Sequence, residues 1–268
     1  MMRRPAVAGT FYPSEPEEIK EQIAGFSDKA AEKVDALGII SPHAGYIYSG
    51  AVAGSVYSRI KPKPVYVILG PNHTGHGKPF SIMSRGEWEM PQGSVSIDSA
   101  LAGELVRNSG LLKDDDLAHE DEHSIEAQMP FLQYPGKPFT FVPIVISYAG
   151  LKQYQALGRE IAGAILKTKK DVMIIASSDM THYEAQDNAG RKDKAAIEAI
   201  LSLDEKMLFE TVENLRISMC GCAPVCAMLA AVKALGAESA ELTGYRTSGD
   251  ASGDYSSVVG YAGVIIKG

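Results

Sequence analysis

The chain has 268 residues, of which 45% are hydrophobic and 22% charged, and its formal net charge at pH 7 is −7. This composition permits one sizeable hydrophobic core, while the negative balance argues against binding the phosphate backbone of a nucleic acid. No segment has the apolar length that spans a bilayer, and the first apolar stretch is too short for a signal peptide. We therefore expect a cytoplasmic protein that binds neither nucleic acid nor membrane.

The predicted secondary structure alternates between strands and helices along the whole chain. Apolar runs predict strands at 37–41, 65–69, 139–146 and 172–176, with β-like segments at 79–98, 240–247 and 258–266. Helices are predicted at 14–26, where Ser14 and Glu17 form a capping-box pattern, and at 49–60, 100–106, 124–132, 151–166, 191–201, 205–215 and 224–235. This alternation is typical of an α/β fold with a largely parallel sheet covered by helices on both faces. No repeat or linker divides the chain, so we predict a single domain over residues 1–268.

Three predicted strands end in a loop that carries a histidine: His43, His73 and His182. In open α/β sheets the carboxyl ends of the strands border a shared crevice, where ligands bind. Imidazole is a common ligand of transition metals. The pattern therefore predicts a metal site at this edge of the sheet, although His43 and His73 could instead be loop histidines that are hydrogen-bonded to the backbone.

Asp179 precedes His182 by three residues in the third of these loops. A carboxylate paired with an imidazole fixes its tautomer and raises its basicity, as a general base requires. The pattern is equally compatible with Asp179 capping the helix that follows. Both roles stay open at the level of the sequence.

The three cysteines, Cys220, Cys222 and Cys226, lie within seven residues. An odd, clustered set is a poor disulfide framework, and its spacing lacks the CxxC pairs of a structural zinc site. Cys220 precedes a predicted helix, whose positive end could stabilise its thiolate. Cys226 falls on the apolar face of that helix and is predicted to lie in the core.

The segment from His119 to His123 matches HExxH, the helix motif of zinc proteases. Its middle positions are acidic, an acidic loop precedes it, and nothing downstream supplies an obvious third ligand. A zinc hydrolase is therefore the least favoured alternative. We instead interpret His123, together with Ser124 and Glu126, as a loop-to-helix junction whose polar groups face the crevice.

Six segments occur in order along nearly the whole chain: AGTFYP at 8–13, PHAGY at 42–46, GPNH at 70–73, DEHSIE at 121–126, SDMTH at 178–182 and CG at 220–221. Together they resemble the Memo family. The resemblance implies a three-layer α/β/α sandwich with a mostly parallel or mixed central sheet. This fold is similar to that of the class III extradiol dioxygenases, which are non-haem iron enzymes.

The resemblance also implies roles for particular residues. It matches His43, His73 and Cys220 to the metal-binding positions, with Asp179 and His182 lining the same pocket. It places three aromatic side chains at the mouth of that pocket: Phe11, Tyr12 and Tyr48. From the residues alone, the segment 10–13 is better interpreted as a packed N-terminal segment than as a binding surface.

The implied ligand set departs from that of the dioxygenases, which hold iron with two histidines and a carboxylate. Cys220 occupies the third position here, and a thiolate favours copper(I), zinc or a thiolate-ligated iron. We therefore hypothesise a metal-dependent oxidoreductase of unknown substrate, with iron or copper rather than zinc, in which His182 moves a proton.

The alternative is a module without catalysis that binds a small molecule or peptide in the same pocket, as animal relatives suggest with phosphotyrosine peptides. Microbial genes of the family often occur beside one for a radical-SAM protein. The resemblance thus implies a pathway link to such a partner.

Overall fold

The computed structural model describes all 268 residues of the chain. Its α-helices are α1 (Pro16–Phe26), α2 (Tyr46–Tyr57), α3 (Ser99–Asn108), α4 (Met129–Gln133), α5 (Leu151–Thr168), α6 (Gln186–Leu201), α7 (Glu205–Leu215), α8 (Cys222–Ala234) and α9 (Gly249–Ser252). None of these helices combines the length and apolar character needed to cross a membrane.

The strands are β1 (Met2–Arg3), β2 (Gly38–Ser41), β3 (Val65–Pro71), β4 (Phe80–Ile82), β5 (Glu87–Trp88), β6 (Val95–Ser96), β7 (Lys113–Asp114), β8 (Thr140–Ile146), β9 (Val172–Ser177), β10 (His182–Glu184), β11 (Ser239–Thr247) and β12 (Val258–Lys267). Nine of them form one sheet in the order β10-β12-β2-β9-β3-β8-β4-β7, with β11 paired to β12 outside this path. The other three form a small sheet, β1-β5-β6.

The centre of the large sheet is parallel and its flanks are antiparallel. Strands β2, β9, β3 and β8 pair in parallel, whereas β12 joins β2 and β4 joins β8 in antiparallel orientation. Because neighbouring parallel strands point the same way, the carboxyl ends of the four central strands lie at one edge of the sheet. This edge carries the candidate site.

Helices cover both faces of the sheet. Helix α8 packs on β2, β3 and β9 and contacts α5 and α7, while α2 packs on β2 and β12 and contacts α1 and α4. Every residue of β2, β3 and β9 is buried, which is the pattern of parallel strands enclosed between two helical layers. The structure thus confirms the α/β/α sandwich with a mixed central sheet.

Several element boundaries differ from the sequence-based prediction. Helix α1 begins at Pro16 and has no side-chain cap, because proline suits the first helical position and leaves the predicted capping box unused. Helix α2 begins at Tyr46 rather than Ser49, whose hydroxyl donates to the carbonyl of Ala44 instead. The predicted helix at 124–132 is a 3-10 turn (Glu126–Gln128) followed by the short α4.

Candidate metal centre

The candidate site lies where the central parallel strands end. His43 follows the last residue of β2 by two positions, and His73 follows the last residue of β3 by two positions. Asp179 stands in the same relation to β9, which lies between them in the sheet. His123 reaches this edge from the loop between two 3-10 turns, Leu117–His119 and Glu126–Gln128.

Three imidazoles come together at this edge. One ring nitrogen from each of His43, His73 and His123 lies within 4.8 Å of the others. The rings of His73 and His123 stack with centroids 4.5 Å apart, and His43 meets both edge-on. His43 is buried, whereas 32% of the His73 side chain remains exposed. The cluster is therefore closed on the His43 side and accessible on the His73 side.

The hydrogen bonds of Ser177 determine which nitrogen of His43 is free. The Ser177 hydroxyl donates to the carbonyl of Ser124 at 2.6 Å and accepts from Nε2 of Gln128 at 2.8 Å. Its single hydrogen is therefore in use, so it can only accept from Nδ1 of His43, which lies 2.9 Å away. Nδ1 carries the hydrogen, and Nε2 of neutral His43 keeps a lone pair for a ligand.

Glu122 determines the orientation of His73 in the same way. One carboxylate oxygen accepts from Nδ1 of His73 at 2.9 Å and from the backbone N–H of Ser124 at 2.8 Å. The other accepts from the backbone N–H of His73 at 2.5 Å. Burial opposes the charge of Glu122, but these bonds, led by that to His73, lower its pKa to about 2. Glu122 is thus an ionised acceptor that leaves Nε2 of His73 free.

His123 is placed by a loop that packs tightly on β3. A Cβ atom at Gly70 would lie 2.8 Å from Cγ1 of Ile125, so only glycine permits this approach. The imidazole of His123 then stands between the ring of His73 and that of Phe11, whose centroid is 4.9 Å away. The sequence predicts His123 in the pocket, and the structure adds it to the group of histidines that could hold a metal ion.

Metal binding requires neutral imidazole, and the surroundings of His43 and His123 favour that form, whereas those of His73 oppose it. Burial lowers the pKa of His43 well below its usual range, and the neighbouring His73 and His123 lower it further. Burial also lowers the pKa of His123. At His73 burial acts in the same direction, but the hydrogen bond and charge of Glu122 outweigh it and raise the pKa.

The donor set fits a transition metal for a further reason. Histidines that bind metals almost always donate their other ring N–H to a carboxylate, a carbonyl or a similar acceptor. His43 and His73 both do so, through Ser177 and Glu122. Imidazole binds iron, copper, nickel and zinc, so these contacts do not select one metal.

Cys220 lies beside this group but outside it. Its sulfur is 3.3 Å from Nε2 of His43 and 3.3 Å from the backbone nitrogen of Asp179. Gly221 brings it there, since a Cβ atom at position 221 would meet the Ser177 carbonyl at 2.6 Å. Burial raises the pKa of the Cys220 thiol well above its usual range, and the charge of Asp179 adds to this effect. The expected stabilisation of the thiolate by the α8 N-terminus is thus outweighed. Cys226 is fully buried, as predicted.

Asp179 and His182 do not form the pair that the sequence suggested. One carboxylate oxygen of Asp179 accepts from the backbone N–H of His43 at 2.9 Å, and the other lies 3.9 Å from Nε2 of His43. Nδ1 of His182 is instead 2.7 Å from the carbonyl of Met180. Asp179 therefore neither orients His182 nor caps a helix. It holds the loop that carries His43, because that loop follows β2, the neighbour of β9 in the sheet.

The HExxH match does not form a zinc-protease site. Residues Leu117–His119 form a 3-10 turn rather than part of a helix. His119 is fully buried near Trp88, and neither ring nitrogen has a hydrogen-bond partner. Burial lowers the pKa of His119 to about 3, with the charge of Arg3 adding to this effect. His119 does not join His123 in a group that could hold a metal, so the alternative of a zinc site built on this motif is wrong.

The N-terminal segment holds the loop that carries His123 through the side chains of Arg3 and Tyr12. Arg3 donates to the carbonyls of His119 at 2.6 Å and Glu122 at 2.8 Å, and pairs with the buried carboxylate of Glu126 at 2.7 Å. The Tyr12 hydroxyl donates to the same carboxylate at 2.7 Å. Tyr12 is only 3% exposed, so it lies beneath the site rather than at its mouth.

The other two aromatic side chains expected at the mouth differ in their positions. Phe11 borders the cluster through its edge-on contact with His123. Tyr48, on the first turn of α2, is 42% exposed. The exposure of Tyr48 does not test its expected position at the mouth of the pocket, which stays a prediction.

Sequence reasoning missed three residues that support the site: Glu122, Ser177 and Arg3. Glu122 lies inside both the HExxH match and the segment 121–126, and its position beside His123 is a usable signal that the sequence-based prediction did not use. Ser177 ends a strand that points at the site, which is a usable signal. Arg3 gave no such signal, because its hydrogen-bond partners are more than 100 positions away along the chain.

Comparison with known proteins agrees with this architecture. A family model described as Memo-like protein matches residues 3–265. A MEMO1 family protein of Methanopyrus kandleri is 45% identical, over 100% of this chain and 99% of its own length. A MEMO1 family protein of Aquifex aeolicus is 42% identical, over 98% of each chain.

Among solved structures, an uncharacterized protein from Escherichia coli K12 superposes with a TM-score of 0.54 at 13% identity. The superposition covers 85% of this chain and 98% of that one. At this identity the likeness concerns the fold alone. The sequence matches, by contrast, extend over nearly all 268 residues, and they establish that the chain belongs to the Memo family.

Proposed function

We propose that this protein binds a transition metal through His43, His73 and His123 and acts as a metal-dependent oxidoreductase. The observation that carries the proposal is the convergence of three imidazole nitrogens within 4.8 Å at the strand ends. Two of the rings have Nδ1 committed to Ser177 and Glu122. Their Nε2 atoms are therefore the ones available to a metal ion.

We further propose iron or copper as the metal and Cys220 as a fourth ligand. Both metals change oxidation state and are coordinated by imidazole, whereas zinc has no redox chemistry. The Cys220 sulfur lies 3.3 Å from Nε2 of His43, so a metal held by that nitrogen would lie close to the thiol. The thiol would have to lose its proton on binding, since burial raises its pKa.

The metal, when bound, would supply a redox centre that also polarises a substrate oxygen. The chain supplies the proton carrier, for which we propose His182. The carbonyl of Met180 accepts a hydrogen bond from Nδ1 of His182 at 2.7 Å, so Nε2 of the neutral ring is free to take a proton. The exposed side of His73 supplies a path for substrate.

Metal analysis of protein purified without oxygen and without added metals tests the first part of this proposal. We expect stoichiometric iron or copper in the wild type, and loss of at least nine-tenths of it in the triple variant His43→Ala, His73→Ala, His123→Ala. His76→Ala, an exposed histidine of the same loop as His73, should keep its metal. Unchanged metal content in the triple variant would refute the site. Partial loss in Cys220→Ser would support the fourth ligand.

Oxygen uptake by the metal-loaded protein with catechol-like compounds tests the second part. An oxidoreductase should turn over such a compound, and His182→Ala should lose that turnover while keeping its metal. Binding of the compounds without turnover would instead favour the non-catalytic binding module. The link to a radical-SAM partner is part of the same proposal, and co-purification of the two proteins would test it.

A further inference from the structure

A cavity of about 370 Å³ opens beside the histidine cluster. It lies between α7, α8 and the carboxyl end of β8, and His73 and Cys220 form its border with the metal centre. We call this space the apolar chamber. Its walls are mainly the side chains of Ile146, Tyr154, Phe209, Val212, Ile217 and Met219.

The size of the chamber is that of a ligand site rather than of a packing defect. Protein interiors are packed as densely as organic crystals, and voids larger than a water molecule are few. Small-molecule sites hold roughly 300 to 1,000 Å³, and an apolar cavity of about 150 Å³ can already bind benzene. The apolar chamber therefore has room for a ring or a branched alkyl group together with its linkage.

The charge of the lining restricts what can enter. Glu213 is the only acidic residue of the lining, and the lining includes no lysine or arginine. The polar side chains at the rim already pair with each other, since Nδ2 of Asn72 donates to the hydroxyl of Ser147 at 3.2 Å. Inside the chamber an anionic group, such as a phosphate or a carboxylate, would find its one possible cationic partner in His73, at the border with the metal centre.

We propose that the substrate of this protein carries an uncharged apolar group of about the size of one ring, which occupies the apolar chamber while a neutral donor atom faces the histidines. The apolar group in the chamber is inferred independently of the proposed function. Only the second part of the inference, the neutral donor atom that faces the histidines, rests on the proposed metal centre. The chamber binds the apolar group through burial of its surface, and this contribution exists with or without a metal.

The test compares imidazole with 4-phenylimidazole, above the pH at which either is protonated. The two probes share a neutral metal-binding head and differ by one ring. Zinc-loaded protein serves as a diamagnetic, redox-inert form, and metal-free protein is titrated in parallel. Calorimetry gives the two affinities, and the methyl resonance of Met219, labelled with carbon-13 and assigned through Met219→Leu, reports on the chamber.

We expect 4-phenylimidazole to bind zinc-loaded protein at least tenfold more tightly than imidazole. It should also shift the Met219 methyl resonance, which imidazole should leave in place. Ala223→Phe, which fills the chamber from α8, should abolish the preference. Ala195→Phe, a half-buried alanine of α6 outside the chamber, should retain it. If Ala223→Phe does not fold, Phe209→Ala should reduce the preference at least threefold.

Equal affinities for the two probes, or shifts confined to methyl groups outside the chamber, would overturn the inference. Failure of the metal centre gives a different result. Protein that takes up neither zinc nor iron nor copper would refute the proposed function, and the titration of metal-free protein would then test whether the chamber binds the apolar group. A Met219 shift with 4-phenylimidazole in metal-free protein supports the chamber, and its absence overturns it.

Discussion

The hydrogen bonds of neighbouring side chains determine which ring nitrogens of His43 and His73 keep a free lone pair. Ser177 can only accept from His43, because its hydrogen is donated to the Ser124 carbonyl. Glu122 can only accept from His73, because it is ionised, with a pKa lowered to about 2 chiefly by its hydrogen bond to that histidine against the opposing effect of burial. At both positions a neighbour that cannot donate selects the tautomer that leaves Nε2 free.

Glu122→Gln should weaken metal binding without removing a ligand. The amide keeps the shape of the side chain but loses the charge that orients His73, and such partners typically contribute 10- to 100-fold to metal affinity. We expect an affinity lower by about tenfold or more in a chelator competition titration. Asp121→Asn, which neutralises an exposed acidic neighbour, should leave the affinity unchanged. Equal losses in both variants would mean that only the general negative charge matters.

At the scale of elements, the position of Cys220 depends on how α8 is seated. Helix α8 begins two residues after Cys220 and packs along α5. Gly158 of α5 permits this packing, because a Cβ atom there would lie 2.7 Å from Cβ of Ala230 and 2.9 Å from the backbone nitrogen of Ala231. The backbones of the two helices therefore approach closely, and this short separation is possible because residue 158 has no side chain.

Gly158→Ala should separate α5 from α8 and destabilise the fold by about 1–3 kcal/mol, the usual effect of overpacking. Gly163→Ala on the same helix is the matched control, since a Cβ atom there meets nothing within 4 Å. That variant should stabilise the protein by roughly 0.5–1 kcal/mol, because alanine has the higher helix propensity. Urea denaturation measures both changes. A loss of stability in both variants would show that the contact with α8 is not the cause.

At the scale of the whole molecule, Asp98 links three parts of the fold. Its carboxylate caps α3 by accepting from the backbone N–H of Leu101 at 3.0 Å. It also accepts from the Thr140 hydroxyl of β8 at 3.3 Å and pairs with Lys170, between α5 and β9, at 2.5 Å. Burial would raise the pKa of Asp98, but Lys170 and the capping bond outweigh burial and lower it.

The lowered pKa predicts a pH dependence of stability with a definite sign. A carboxyl whose folded-state pKa is depressed stabilises the fold above its unfolded pKa, near 3.8, and loses that contribution as the pH falls through the folded value. Asp98→Asn keeps a capping acceptor but removes the charge. We expect the variant to be less stable by about 1 kcal/mol at pH 7, with the difference shrinking below about pH 4. Urea denaturation as a function of pH would check this, and a difference that does not change with pH would contradict it.

The sequence by itself determined the architecture and half of the site. Strands and helices follow from local apolar periodicity, and the carboxyl ends of neighbouring parallel strands must meet. The placement of His43 and His73 at one edge therefore needed no tertiary information. The family resemblance added the layered sandwich, which the structure confirms.

Only the tertiary structure decided which third histidine joins them and what each carboxylate does. His123 enters the cluster and His119 is buried because Arg3 and Glu126, 123 positions apart, fasten the loop that carries both. Asp179 turns to His43 rather than His182 because β9 lies next to β2 in the sheet. Loop conformation is set by such long-range contacts, whereas periodicity reports only the pattern along the local chain.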